Sequence, residues 1–487
     1  MNLRRFLEVL ESKAPDQVRR LAAEVDPDYE AAALVMEMER RGEHPVLWLD
    51  RVRGSRFPVV TNVFADRRRF ALALGVPADA LADEWLVRGD RRLPPRLCQT
   101  GPIRDVVVTG SAVDLGALPV IRHFAEDAGP YITNGIVVAR DPDTGVRNAS
   151  FHRLQVRGPA RLGTSLHSRR HLWDYQRRAE ERGLSLPVSI VVGAQPLFVL
   201  GAGLWKGPID VDEYEVAGGF MGEPLDIVPG VTVPVEAPAE AEFVLEGRIL
   251  AGVREPEGPF AEFTGYASER STQHVIEVTA ILHRGDAIYQ DIMSGISAEH
   301  TTLLAVPQEA RMLRVLRGHY PSVTQVAYPQ SGACRLHCYV SLKPTAEGQA
   351  KNVALTAFGE DLSLKLVVVV DHDVDVTRDD EVLWAMATRM QADRDLVVVA
   401  NAMGAILDPS SRAGTTAKVV IDATRPPGEF PSRHRLPPEA VVRATALLDA
   451  AGTGATAPAA ARDGERGGAA HPVGDRASRH PANPQRG

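Results

Sequence analysis

The sequence predicts a mixed α/β and β protein, with an α/β unit at the N-terminal side, a central antiparallel barrel-like segment and a second α/β unit. Three observations predict it. Up to about residue 105, helical apolar spacing alternates with short strand-like runs. From Val106 to about Ile292, short β-rich runs recur between Gly, Pro and Asp, with one charged helix among them. From Thr302 onward, helices and buried strands alternate again. A chain of 487 residues has room for two to four domains.

Taken in order, residues 2–24 read as an amphipathic helix, with Leu3, Phe6, Leu7 and Leu10 at helical spacing. Residues 28–41 read as a second helix, Val46–Leu49 and Val59–Val63 as strands, and Arg67–Leu74 as a helix. Leu93-Pro-Pro-Arg marks a connection. In the central segment the strand-like runs are Val106–Thr109, Asn134–Ala139, Ser150–Val156, Val188–Val192, Leu197–Leu200, Phe243–Ile249, Val275–Leu282 and Ala287–Asp291. The charged helix, His171–Arg182, stops at Gly183, a residue suited to a C-cap. Helices are expected at 303–317, 347–358 and 380–391, and a buried strand at Lys365–Asp371. After Thr453 the chain is Ala, Gly, Pro, Arg and Asp with hardly any large apolar residue, so residues 453–487 are expected to be a disordered tail. The expected domains are therefore 1–105, 106–300 and 301–452, followed by that tail.

Composition narrows the function. Hydrophobic content of 44% and charged content of 24% are those of a soluble globular protein. A net charge of −8 argues against a broad nucleic-acid surface, while leaving room for a local basic pocket for a phosphate. Three cysteines suit a reducing, cytoplasmic setting and cannot form a disulfide framework. Cys334 and Cys338 flank His337 without zinc-finger spacing, and they read as buried strand thiols. The start, Met1-Asn-Leu-Arg-Arg-Phe-Leu-Glu, has an acid where the apolar core of a signal peptide should continue. The longest apolar stretch, Ser189–Trp205, is broken by Gly193, Pro196, Gly201 and Gly203, so no membrane span is expected.

The stretch most suggestive of chemistry is Glu257-Gly-Pro-Phe-Ala-Glu262-Phe-Thr-Gly-Tyr266. Two carboxylates lie five residues apart around a Gly-Pro pair, so this is a shaped loop or strand end. A carboxylate in apolar surroundings favours its protonated form, which makes a general acid. A structural reading stands beside it, with Glu257 capping a turn and Glu262 solvated. Upstream lies Asn148-Ala-Ser-Phe-His-Arg153. Strand alternation puts Asn148, Ser150 and His152 on one face and Arg153 on the other, so a bulge or twist must intervene to bring Asn148 and Arg153 to one site. His171 follows Arg169-Arg170, and Glu213 precedes Gly218-Gly219. Asn, His and Glu form a mixed N/O set that suits Mn²⁺ or Mg²⁺, although each alone has an ordinary structural reading. Asp371-His-Asp-Val-Asp375 reads either as a metal loop or as a solvated cap. No Walker loop, nucleophile elbow or complete dinucleotide fingerprint is present.

Together these segments resemble the UbiD family of decarboxylases, which use prenylated FMN. The resemblance is an ordered series over most of residues 100–430: Asn148-x-Ser150-x-x-Arg153, then His171, Glu213, Glu257–Tyr266, Asp371–Asp375, Trp384–Arg389 and Lys418 before Asp422-Ala-Thr. It implies an N-terminal α/β unit, a central split β-barrel that binds the flavin, and a C-terminal α/β domain that makes a homodimer or higher oligomer. It implies that Asn148, His171 and Glu213 bind Mn²⁺ (or Mg²⁺) at the cofactor phosphate, with K⁺ nearby on Glu213 and the carbonyls of Ala202–Trp205. Ser150, Arg153, Arg170 and Lys418 would contact the cofactor. Arg153, Glu257 and Glu262 would be the catalytic set, with Glu262 as the mobile acid. His300, in Ala298-Glu-His-Thr-Thr, is placed in the substrate pocket. The implied reaction is reversible non-oxidative decarboxylation of an α,β-unsaturated or (hetero)aromatic acid, with a flavin prenyltransferase supplying the cofactor. A non-catalytic flavin- and metal-binding subunit, or a plain flavin reductase, is the alternative; an intact Arg–Glu–Glu set favours the enzyme. Glu262 stands where some members have Asp, and Ala261 where Gly is frequent, which points away from the ubiquinone-precursor branch.

Overall fold

Leu3–Lys13 is the first helix, and it buries Leu3, Phe6, Leu7 and Leu10 as its spacing requires. Asn2 caps it by accepting the Arg5 N–H. The computed structural model describes residues 2–166, 170–412 and 414–452. The helix expected over 2–24 is shorter than that. Pro15 cannot extend it, and Val18–Val25 turns into a strand paired in parallel with Val46–Val52. That strand is mostly exposed, so it carries little of the apolar alternation that would have marked it. The helices Glu30–Arg40 and Arg67–Leu74 stand where expected, the latter closed by Gly75 at φ 72°.

Among the described residues, the first sheet runs 18–25, 46–52, 59–61 and 289–290. Tyr289–Gln290, expected in the barrel, pairs in parallel with Val59 and Val60 instead. The central sheet has nine strands. Its path runs 131–132, 154–156, 161–164, 271–283, 243–257, 186–192, 136–140 and 147–151, with 106–109 paired on 271–283. Every one of these pairings is antiparallel.

Chain continuity shows that this sheet curls. Ile132 and Ile136 lie six strand spacings apart along the path, about 29 Å if the sheet were flat. Four Cα steps span at most about 14 Å. Phe151 and Leu154 are also six spacings apart and are joined through His152 and Arg153 alone. The two ends of the sheet therefore meet, and the His152 N–H donates to the Gly135 carbonyl at 3.0 Å where the two crossings pass. The run expected as one strand, Ser150–Val156, is thus two strands toward opposite ends of a curled half-barrel, with a two-residue bridge between them.

Leu197–Leu200, expected as a strand, is helical. Pro196 opens a helical turn that widens into a π-helical turn at Val199–Leu204. Packing requires its glycines. A Cβ on Gly201 would lie 2.6 Å from the Ala217 Cα, and one on Gly203 would lie 2.7 Å from the Phe151 ring.

The third layer is a five-stranded sheet in the order 323–327, 337–342, 366–371, 415–423 and 396–403, with parallel pairs at its centre. The 22-residue helix Ala298–His319 leads into it and serves two cores. Leu303, Val306 and Ala310 pack with the N-terminal and barrel core, while Ala305, Met312, Leu313 and Leu316 pack under the C-terminal sheet. Residues up to Pro427 form one unit; beyond it a separate unit contains the helix Pro438–Gly452. The expected tail, 453–487, lies outside the described residues. Among the described residues no helix is long and apolar enough to cross a membrane.

Candidate active site

A cavity of about 430 Å³ opens beside the two-residue bridge. Asn148, Ser150, His152, Arg153, His171 and Glu213 line it together. The break in the strand at residues 152–153 is what brings Asn148 and Arg153, on opposite faces by simple alternation, to one space.

Arg153 organises one end. Its Nε and Nη2 donate to the two oxygens of Glu257 at 3.0 and 2.8 Å, a bidentate fork. Glu257 is the last residue of the strand Phe243–Glu257; it is fully buried and also accepts the Tyr131 hydroxyl at 3.2 Å. The Arg153 Nη1 donates to Glu262. The Phe260 ring lies 5.1 Å from the Arg153 guanidinium carbon. Between the two acids, Gly258 sits at φ 86° and the Gly258–Pro259 bond is cis. The segment 260–268 is a hairpin closed by Glu262 N–H to Tyr266 O at 3.0 Å and Ser268 N–H to Phe260 O at 2.8 Å. Burial pushes the Glu262 carboxyl above the ordinary glutamate range; Arg153 pulls it down and Glu257 pushes it up again. The alternative in which Glu262 is a solvated strand residue does not hold.

Asn148, His171 and Glu213 stand at a second corner. Glu213 and His171 each open a helix, Glu213–Met221 and His171–Glu180, and Asn148 lies on the strand Arg147–Phe151. Glu213 accepts Asn148 Nδ2 at 3.0 Å and the Ala149 N–H at 3.2 Å, and His171 Nδ1 lies 4.0 Å from the same carboxylate. Burial pushes the Glu213 carboxyl up to about 8. A cation at this corner would restore its charged form. Gly203 and Leu204 of the π-helical turn, and Trp205 just after it, line the same space. Ser150 Oγ hydrogen-bonds Asn148 Oδ1 at 3.3 Å and His152 Nε2 at 3.0 Å. Among the described residues no cluster of three or more His, Cys, Asp or Glu side chains is arranged to hold a metal. The set here has two such residues and completes itself with an amide.

Of the remaining candidates, Arg170 and His300 line the cavity. The His300 Nδ1–H donates to the Gly295 carbonyl at 2.9 Å, and burial pushes the ring down to about 4, leaving Nε2 as an acceptor. Lys418 is not brought to the cavity. Its ammonium donates to the carbonyls of Leu362 and Leu364 at 2.9 Å each and lies 5.1 Å from the Phe358 ring, inside the C-terminal layer.

Sequence reasoning passed over Lys206. It lines the cavity as a solvent-exposed residue. The available signal was a lone lysine just after the Gly-rich apolar run. Asp371 and Asp373 are paired with Arg389 and Arg425, so the acid-rich loop is an ion-pair brace. Cys334 and Cys338 are buried, and burial pushes both thiols up.

The chain matches three family models: the N-terminal domain of 3-octaprenyl-4-hydroxybenzoate carboxy-lyase at residues 9–88, its Rift-related domain at 96–297 and its C-terminal domain at 301–423. It is 39% identical over 425 residues to an anhydromevalonate phosphate decarboxylase of Methanothermobacter thermautotrophicus, covering 87% of this chain and 97% of the relative. The UbiD-class enzyme HmfF from Pelotomaculum thermopropionicum, solved in complex with FMN, superposes with a TM-score of 0.87 at 40% identity, over 92% of this chain and 100% of that one. An evolved dimeric form of HmfF, solved with prFMN, gives 0.82 at 38% identity, over 90% and 97% of the two chains. The 3,4-dihydroxybenzoic acid decarboxylase (AroY) of Klebsiella pneumoniae gives 0.84 at 28%, over 91% and 99%.

Proposed function

Since the chain belongs to the UbiD family of prenylated-FMN-dependent decarboxylases, we propose that it removes CO₂, reversibly and without net oxidation, from an α,β-unsaturated or (hetero)aromatic carboxylic acid in the cavity beside Arg153. The observation that carries this reading is one guanidinium tied at once to a buried, fork-bound Glu257 and to Glu262, whose carboxyl is pushed toward its protonated form.

The donor set fits the cofactor's counter-ion. Asn148, His171 and Glu213 would hold Mn²⁺ or Mg²⁺, which would keep the buried Glu213 ionised and balance a phosphate. Glu213 and carbonyls of Ala202–Trp205 would hold K⁺. Ser150, Arg153 and Arg170 would contact the cofactor, and Lys206 takes the cofactor-contacting place expected of Lys418. When bound, prenylated FMN supplies the electron sink for the pair left behind as CO₂ departs.

The chain's own residues do the rest. Arg153 is held rigid by Glu257, so its position does not have to be found anew in each turnover. Glu262 holds a proton and delivers it to the carbon that has lost CO₂; in the reverse direction it removes that proton. Phe151, Phe260, Phe263, Ile292 and Leu303 wall the cavity with apolar surface and exclude water from the carbanionic centre. His300 faces the substrate. The domains 1–105, 106–300 and 301–452 act as base, flavin barrel and dimerising unit, in a cytoplasmic homodimer or higher oligomer supplied by a flavin prenyltransferase.

The test is the cofactor itself. The protein co-expressed with a flavin prenyltransferase and supplied with Mn²⁺ and K⁺ is expected to carry a flavin of prenylated mass and bound metal, and to release CO₂ from conjugated acids. Well-folded protein that takes up no prenylated flavin would sink the proposal.

A further inference from the structure

We propose that Asp127 is a positioning residue for the reaction: it fixes to the barrel the hairpin that carries Glu262. The proposal rests on Glu262 as the proton donor.

Asp127 is 1% exposed, and its two oxygens are used separately. Oδ1 accepts the Ala261 N–H at 2.8 Å, on the residue just before Glu262. Oδ2 accepts the Phe124 N–H at 3.0 Å, within its own loop. The next residue adds a second tie, Ala128 N–H to the Pro259 carbonyl at 2.9 Å. The Asp127 backbone is itself held, because Arg122 Nη2 donates to its carbonyl at 2.7 Å. The bonds within 260–268 shape the hairpin, whereas those from Asp127 and Ala128 attach it to the neighbouring chain.

The chemistry makes such an attachment consequential. A proton donor must reach the reacting carbon within hydrogen-bond distance, and slack of about 1 Å costs on the order of 10²-fold in rate. Charge-assisted bonds to backbone N–H groups are the stronger kind, and their loss leaves two half-buried donors unmatched. The Asp127 charge also lies among the groups that push the Glu262 carboxyl up, so it favours the form that donates.

The test uses full-length Asp127→Ala and Asp127→Asn. In flavin-free protein, amide hydrogen exchange across residues 259–263 should quicken roughly ten- to hundred-fold in Asp127→Ala, with the remaining barrel peptides unchanged. Asn keeps one acceptor oxygen and should fall between. In the flavin-loaded protein, kcat should drop by about the same factor while KM and flavin content hold. Unchanged exchange at 259–263 would overturn the proposal, and so would loosening of the whole barrel with loss of flavin. A loosened hairpin with undiminished kcat would overturn it too. If Glu262→Gln also kept full turnover, the fault would lie in the reading of Glu262.

Discussion

Two regions of this molecule use the same ions in different proportions. At the end of the C-terminal strand Leu366–Asp371, two guanidinium groups, Arg389 and Arg425, face two carboxylates, Asp371 and Asp373. Burial alone would raise Asp373, but hydrogen bonds from both arginines outweigh it and hold the carboxyl at about 2. At the seam of the barrel, one guanidinium, Arg153, faces two carboxylates. The fork goes to Glu257, and the surplus acid, Glu262, is pushed up. A balanced cluster locks charge in place. A cluster one cation short keeps an acid that can exchange its proton. Deeper burial and one arginine fewer separate the proposed acid from the brace.

That comparison can be broken most forcefully at Glu262. Glu262→Gln should lower kcat by about 10²- to 10⁴-fold with flavin and metal content unchanged, as steady-state rates beside absorbance and metal analysis would show. Turnover close to wild type would end the contrast. Next come the two arginines. Arg153→Ala leaves the buried Glu257 without a cation and should cost about 3–5 kcal/mol, seen in urea midpoints, whereas Arg389→Ala leaves Asp373 to Arg425 and should cost less. Only Arg153→Ala should also abolish turnover per folded molecule. A smaller effect separates the two acids by pH. The proposed role requires protonated Glu262, so kcat should decline as pH rises through a value above ordinary glutamate, and should hold below it. Asp373 behaves with the opposite sign. Its folded value lies below the unfolded one near 3.8, so its contribution is present above pH 4 and lost as pH falls toward 2. Asp373→Asn should therefore flatten that acid limb of stability by about 1–2 kcal/mol. The least change is expected from Lys206→Met: FMN should dissociate roughly ten-fold more easily, by about 1.4 kcal/mol, while riboflavin, without the phosphate, should be indifferent.

Much of this was legible in the chain. The acids at 257 and 262, the Asn148–Arg153 segment, His171 and Glu213 were all named from residues and their order, and all line or adjoin one cavity. What escaped has physical reasons. Leu197–Leu200 has the composition of a strand, and the helical turn comes from Pro196 and from glycines whose need is set by Ala217 and Phe151, partners far off in sequence or across the barrel. Val18–Val25 lies mostly in solvent and so lacks the alternation of a half-buried strand. Lys418 looked like an anion ligand, yet carbonyls of residues 362 and 364 had already claimed it. Lys206 comes to the cavity, and Asp127 to the Ala261 N–H, through the fold alone, which leaves no mark on neighbouring letters.

The bridge at His152 and Arg153 has one more consequence. It joins the two ends of the central sheet, six strands apart, so the curl of the barrel and the place of the guanidinium are a single mechanical variable. A substitution on an edge strand such as Tyr131–Ile132 or Arg147–Phe151 works like a turn of a screw on a clamp, with Arg153 as the jaw. Catalytic tuning in this architecture is therefore open to residues that never touch the substrate, provided they alter how tightly the sheet is wound.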